Sequence, residues 1–154
     1  MNASRTPGTL KRFRRTTWKF QQTFQTPLKR LGPFVATIIS SSLQPLRGGS
    51  LTIDSVIFEP EHLLAVLASH RLPPQPARDT TLTAVGTEET AELLQAALAD
   101  WIDLLFVPQP RPFVIYADHD EYITFFAQTK SNLNRVVEPL RRAGFEAVEY
   151  RRDL

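Results

Sequence analysis

FVIYADHDEYITFFA, residues 113–127, is the stretch on which the architecture turns. Phe113 to Ala117 and Tyr122 to Ala127 are aromatic or β-branched at most positions, and Asp118-His119-Asp120-Glu121 between them are turn residues at hairpin length. A two-residue loop pairs Ala117 with Tyr122, Ile115 with Thr124 and Phe113 with Phe126. One face then carries Phe113, Ile115, Tyr122 and Phe126, and the other Val114, Tyr116, Ile123 and Phe125. Both faces are apolar, as in a strand pair inside a covered sheet. The rival reading is a helix: Asp118-x-x-Glu121 is a capping-box pattern, and Tyr122, Phe125, Phe126, Thr129, Leu133, Val136, Val137 and Leu140 follow helical spacing. Tyr-Ile-Thr-Phe-Phe is poor helix material and Ser131 offers a later helix start, so the hairpin is preferred.

Downstream, a helix runs to Arg141-Arg142, with Pro139 inside it and Gly144 as a left-handed cap. Phe145 to Tyr150 follow as a strand. Upstream, Leu51 to Phe58 read as a strand closed by Glu59-Pro60, and a helix follows with Leu63, Leu64, Val66 and Leu67 on its apolar side until Pro73-Pro74. Thr80 to Val85 are a short edge strand. Gly86-Thr87-Glu88-Glu89 open a helix capped by Thr87, whose stripe of Ala91, Leu94, Leu98, Ile102 and Leu105 extends it to just before Pro108. Pro108 to Pro112 form a stiff extended connection. With its two helices taken as one crossover, this order is β-α-β-β-α-β. The expected fold class is thus α+β, a ferredoxin-like split β-α-β-β-α-β sandwich with an extra helix.

Residues 1–50 differ in texture. Nine cations and no carboxylate lie before Asp54, whereas the rest of the chain holds nine cations against sixteen carboxylates. This stretch is rich in Ser, Thr, Gln and Pro and ends on Arg47-Gly48-Gly49-Ser50. It reads as a basic irregular N-terminal arm joined flexibly to an acidic α+β domain of residues 51–154. Arg12, Arg14, Arg15, Trp18, Lys19, Lys29 and Arg30 interleave cations with an aromatic ring, the chemistry that pairs phosphates and stacks on bases. The arm therefore suits nucleic acid or an anionic membrane surface; a solvated tail, a transit peptide and an export signal are the competing readings. A transit peptide implies an organelle matrix, and otherwise the chain is expected in the cytoplasm. No apolar run is long enough to span a bilayer.

Catalytic signatures are sparse. With no cysteine, thiolate nucleophiles, thiolate metal sites and disulfides are excluded. Glycine-rich phosphate loops, a G-x-S-x-G elbow and H-E-x-x-H are all missing, and no cofactor is implied. Asp118, His119 and Asp120 carry metal-ligand chemistry, but adjacent residues on one turn do not all point at one ion, and an ordinary solvated turn is the simpler reading. His62 and His70 are too far apart on one helix to share an ion. The expected function is a non-catalytic binding or assembly protein, its basic arm tethering an acidic module to an acidic partner. The open sheet face would meet a protein complex or a second copy in a homodimer. A small metal-dependent enzyme using Asp118 to Glu121 is the alternative. On the tether reading, removing residues 1–50 leaves a folded body.

Overall fold

The computed structural model describes all residues from Met1 to Leu154. The hairpin is present: β6 (Val114–Ala117) pairs antiparallel with β7 (Tyr122–Ala127). Its register differs by one residue from the expected one, because the loop holds three residues. Asp118 N–H donates to Tyr122 O at 3.0 Å, and Glu121 takes the left-handed φ of 76° that closes such a loop. Val114 therefore faces Phe126 and Ile115 faces Phe125. A one-residue slip exchanges the faces of a strand. Phe125 lies with Phe113 and Ile115 in the main core, while Phe126 lies with Val114 and Tyr116 on the opposite face.

The elements on either side are present, but the strand expected at Leu51–Phe58 lies three residues earlier, leaving Ile57 and Phe58 exposed, the strand expected over Phe145–Tyr150 shrinks to two residues, and one element departs further. β3 (Gly48–Ser55), α3 (Glu61–Ser69), β4 (Thr80–Val85), α5 (Lys130–Arg142) and a two-residue β8 (Ala147–Val148) are all present. α4 (Gly86–Ala99) begins where expected, with Glu88 and Glu89 in its first turn, but Thr87 is no cap, since Val85 holds that position and no side chain bonds there. The larger departure is at its end. The helix stops at Ala99, and Asp103–Gln109 form a strand, β5. Trp101 takes a φ of 57° and Ile102 N–H donates to Ala97 O, a six-to-one closure of the last turn. Leu104 and Phe106 then enter the main core while Leu105 packs on the opposite face. A strand buried on both faces reads as a continuous apolar run, which helical spacing fits equally well.

The first fifty residues are not an irregular arm. They form β1 (Asn2–Arg5), α1 (Thr9–Arg15), β2 (Phe20–Gln25), a 3-10 turn (Leu28–Arg30) and α2 (Leu31–Ser40). β1 pairs with β4, and β2 lies between β7 and β8. Phe24, Leu31, Phe34, Val35 and Ile38 belong to the main core. The expected joint at Gly48-Gly49 lies inside β3, which pairs with β4 and β5. Its glycines serve close approach instead of flexibility: a Cβ on Gly49 would sit 2.9 Å from the Phe106 ring, and one on Gly48 only 2.2 Å from Ala84 O. No boundary near residue 50 divides the chain into an arm and a body.

All strands join one antiparallel eight-stranded sheet, in the order β1-β4-β3-β5-β6-β7-β2-β8, more elaborate than a ferredoxin-like sandwich. α2, α3, α4 and α5 contribute to the 29-residue main core on one face. The second face, expected to be open, is partly covered by α1: Leu10 and Phe13, three residues apart and hence on one side of the helix, pack on Leu105, Val114, Tyr116 and Phe126. No helix is long and apolar enough to cross a membrane.

Removing residues 1–47 therefore strips two strands and the Phe24 and Phe34 rings from the fold. The truncated chain is expected to lose the cooperative denaturant transition of the full chain, read by circular dichroism, and Phe34→Ala alone should cost about 3–5 kcal/mol. A truncated chain that unfolds cooperatively at the full-length midpoint would restore the arm-and-body description.

Candidate ligand-binding cavity on the second sheet face

α1 is seven residues long and has no side-chain cap at its N-terminus, so tertiary contacts must hold it. The Phe13 ring stacks on Tyr116 at 5.8 Å with an interplanar angle of 4°, and meets Phe126 edge-on at 5.4 Å. Trp18, just beyond the helix, packs on Phe126 at 5.9 Å. A polar latch lies beside these rings. Asp54, buried on β3, accepts the Tyr116 hydroxyl at 2.5 Å and pairs with Arg14 of α1, with Arg78 at 3.6 Å from its other oxygen. Burial, and then the Asp54 carboxylate, hold the Tyr116 hydroxyl far above its ordinary pKa. It therefore remains a proton donor to Asp54 through the physiological range. From the other side the Arg152 guanidinium stacks over the Tyr116 ring at 4.8 Å.

Docked in this way, α1 forms one wall of a cavity of about 540 Å³, completed by Ser50 of β3, by β5, β6 and the loop between them, and by the start of α5. Its apolar side chains are Phe13, Trp18, Val107 and Val114; Phe113 borders it too, but its ring packs on Phe125 in the main core. Arg12 and Arg111 are the only charged residues among the thirteen that line it, and neither makes an ion pair. Arg12 makes one side-chain bond, a long one of 3.3 Å to Thr9 Oγ1. Gln128 fixes the chain leading out of α1, donating to Thr17 O at 2.9 Å and accepting from Lys19 N–H at 3.3 Å. Asn132 accepts from Arg135 through its amide oxygen, which leaves its amide N–H groups without a protein acceptor. Trp18 Nε1 is buried and has no hydrogen-bond partner. The cavity thus presents donors and positive charge above an apolar, aromatic base.

The seven residues singled out in the first fifty separate into groups. Arg12 and Trp18 meet in the cavity. Arg15 and Lys19 are exposed beside it, and Arg14 is consumed by the Asp54 latch. Lys29 and Arg30 sit on the helical side of the sheet. Lys29 lines a groove with α3 and α4 residues, and Arg30 stacks on Phe145 at 4.3 Å and donates to Ala143 O at 2.9 Å. Arg111 joins the site unannounced, since its place in the Pro-rich run 108–112 marks it only as connection.

The Asp118 side chain turns away from those of the other two residues of the turn, while His119 Nε2 lies 3.7 Å from Asp120. Asp118 accepts from Asp120 N–H and Tyr122 N–H through one oxygen and pairs with Arg152 at 2.8 Å through the other. His119 turns Nδ1 to Asp103 at 2.9 Å, and Asp103 also accepts from His119 N–H and from Ser55. Asp120 is exposed. No three His, Cys, Asp or Glu side chains are placed to hold a metal ion. His62 has a matching arrangement: Asp100, buried after α4, accepts from its Nδ1 and from the His62 and Leu63 N–H groups, capping α3 from another element. The hydrogen bonds to Asp100 and Asp103 raise the pKa of His62 and of His119, respectively, above the ordinary 6.5.

Tyr116→Phe leaves the stacking intact and removes one bond to a charged acceptor, so it should cost about 1.5–3 kcal/mol in chemical denaturation. A histidine whose folded pKa is raised contributes stability that is complete below the unfolded value and is lost as pH rises through the folded one. The His119 part therefore begins to be lost above about pH 6.5 and is gone once pH has passed its raised folded value. Proton NMR should give a His119 midpoint above that value, and Asp103→Asn should return it there; an unmoved midpoint would show that Asp103 is not the cause.

No protein-family model, curated protein or solved structure matches this chain, and the cavity with its charges carries the functional reading.

Proposed function

We propose that this chain is a binding protein that engages an acidic partner through the α1 side of its sheet, as a non-catalytic component of a larger assembly. The observation that carries the reading is the cavity lined by Arg12 and Arg111 with no carboxylate among its lining residues. Its surroundings agree. Lys11 and Arg15 on α1 and Lys19 after it are exposed and make no ion pair. Three carboxylates of the same face are engaged within the chain: Asp54 by Arg14, Asp103 by His119 and Asp118 by Arg152. The lining of the cavity carries two cations and no anion, although the whole chain carries only +2. A concentration of one sign around a concave, half-apolar site raises the local concentration of the opposite sign and steers its approach. The partner is held by a folded surface, since the first fifty residues are part of the sheet and not a free tether.

The double charge reversal Arg12→Glu, Arg111→Glu alters two exposed side chains that make no ion pair, and it should leave the melting temperature near that of the parent. In fluorescence anisotropy with labelled polyanions, a single-stranded oligonucleotide and a polyglutamate peptide, at low salt, it should lower the affinity for the preferred probe by tenfold or more. Parent binding should weaken steeply with added salt. Unchanged affinity in the double variant would remove the cavity from the interface and end this reading.

A further inference from the structure

We infer that the acidic partner is a single-stranded nucleic acid, with one base taken into the cavity beside Trp18 and the flanking phosphates held by Arg12 and Arg111. This inference rests on the acidic-partner reading and specifies its chemistry. A nucleic acid strand alternates a flat, largely apolar ring with an anion, and the cavity offers the complementary arrangement. Its base is apolar and aromatic, from Phe13, Trp18, Val107 and Val114, and its two charged residues are both arginines. The volume of about 540 Å³ falls inside the range of about 300–1,000 Å³ typical of small-molecule sites, enough for a nucleotide.

Polar groups that read a base edge are also present. The Asn132 amide N–H groups have no protein acceptor, and Ser50 lines the same cavity. Arginine is suited to both tasks here, pairing phosphate through its fork and stacking through its plane. An acidic peptide would satisfy the guanidinium groups but bring nothing flat to cover the apolar base. A free mononucleotide would leave unused the cations outside the cavity, Lys11, Arg15 and Lys19, which continue the positive charge along α1 and beyond Trp18. A strand running along α1 uses all of them. A duplex keeps its bases stacked and paired and offers none to a cavity, so single strands are the expected form.

The test compares three labelled probes of equal length and charge at one low salt concentration: a single-stranded oligonucleotide with bases, the same strand built from abasic sugar-phosphate units, and polyglutamate. The base-bearing strand should bind about fivefold or more tighter than the abasic one. Trp18→Ala should erase that advantage while leaving abasic binding unchanged, and Trp18→Phe, which keeps a ring, should restore most of it. Melting curves of both variants ensure that a loss is not one of folding. Equal affinity for the base-bearing and abasic strands, still abolished by Arg12→Glu with Arg111→Glu, would overturn base capture and keep the acidic-partner reading. Preference for polyglutamate would overturn the nucleic acid assignment in the same way. Absence of binding to all three would overturn both.

Discussion

The chain must cross the second face of the sheet between β1 and β2, and much of the structure follows from that crossing. β1 is the edge strand beside β4, while β2 is the seventh strand, between β7 and β8. Six strand spacings of about 4.8 Å put them about 29 Å apart. Only residues 6–19 make the journey, and α1 is its middle part. An isolated seven-residue helix has no stability of its own. Leu10 and Phe13 supply apolar contact with the β5, β6 and β7 side chains below, and the Arg14 bond to Asp54 sets the rotation of the helix about its axis. With Arg14 and Phe13 turned to the sheet, Arg12 is directed to the side where the loop after β5 brings Arg111.

The same geometry explains a basic surface on a nearly neutral protein. Poorly solvated carboxylates are expensive, and three on the second face have acquired cations or donors: Asp54 has Arg14 and Tyr116, Asp103 has His119 and Ser55, and Asp118 has Arg152 and the turn amides. Those pairs are internal and cancel at short range. The cations without such partners project from α1 and the Pro-rich loop, where solvent screens them and a ligand can reach them. Net charge taken over the whole chain therefore understates what an approaching anion meets.

Local signals marked the hairpin, the Pro60 and Gly86 helix starts and the Gly144 cap, because each depends on residues within a few positions of one another. Three helices end in the same way, with a left-handed residue and a six-to-one hydrogen bond, at Arg71, Trp101 and Gly144. Only the glycine announces itself; a tryptophan in that position hides the end of α4 and hence the whole of β5. The hairpin register turned on Glu121, another non-glycine residue with positive φ. Gly48-Gly49 misled for the opposite reason, since glycine that permits close packing of a central strand has the same letters as glycine in a linker. In the first fifty residues, polar Gln and Thr positions of FQQTFQ concealed a strand in which Thr23 and Phe24 are fully buried. Arg12 and Trp18 stood out as an interleaved cation and ring. The Asp54 to Tyr116 bond and the placement of Arg111 join residues far apart in sequence, and no local pattern encodes them.

Assembly of the cavity from distant segments also ties ligand binding to the stability of the crossing. Its walls come from residues 9–18, from Ser50, from 107–114 and from 128–132, and all but the first would remain in place if α1 left the sheet. A ligand that spans Arg12 and Arg111 favours the docked helix by its differential affinity for that state. The Asp54 latch does the same work from beneath, so the two act on one equilibrium. Weakening the latch at Tyr116 reduces the fraction of molecules with a complete cavity, and apparent affinity falls by that fraction although no group that touches the ligand has changed. The buried carboxylate, first in a chain whose opening fifty-three residues carry only positive charge, thereby positions the cations that precede it.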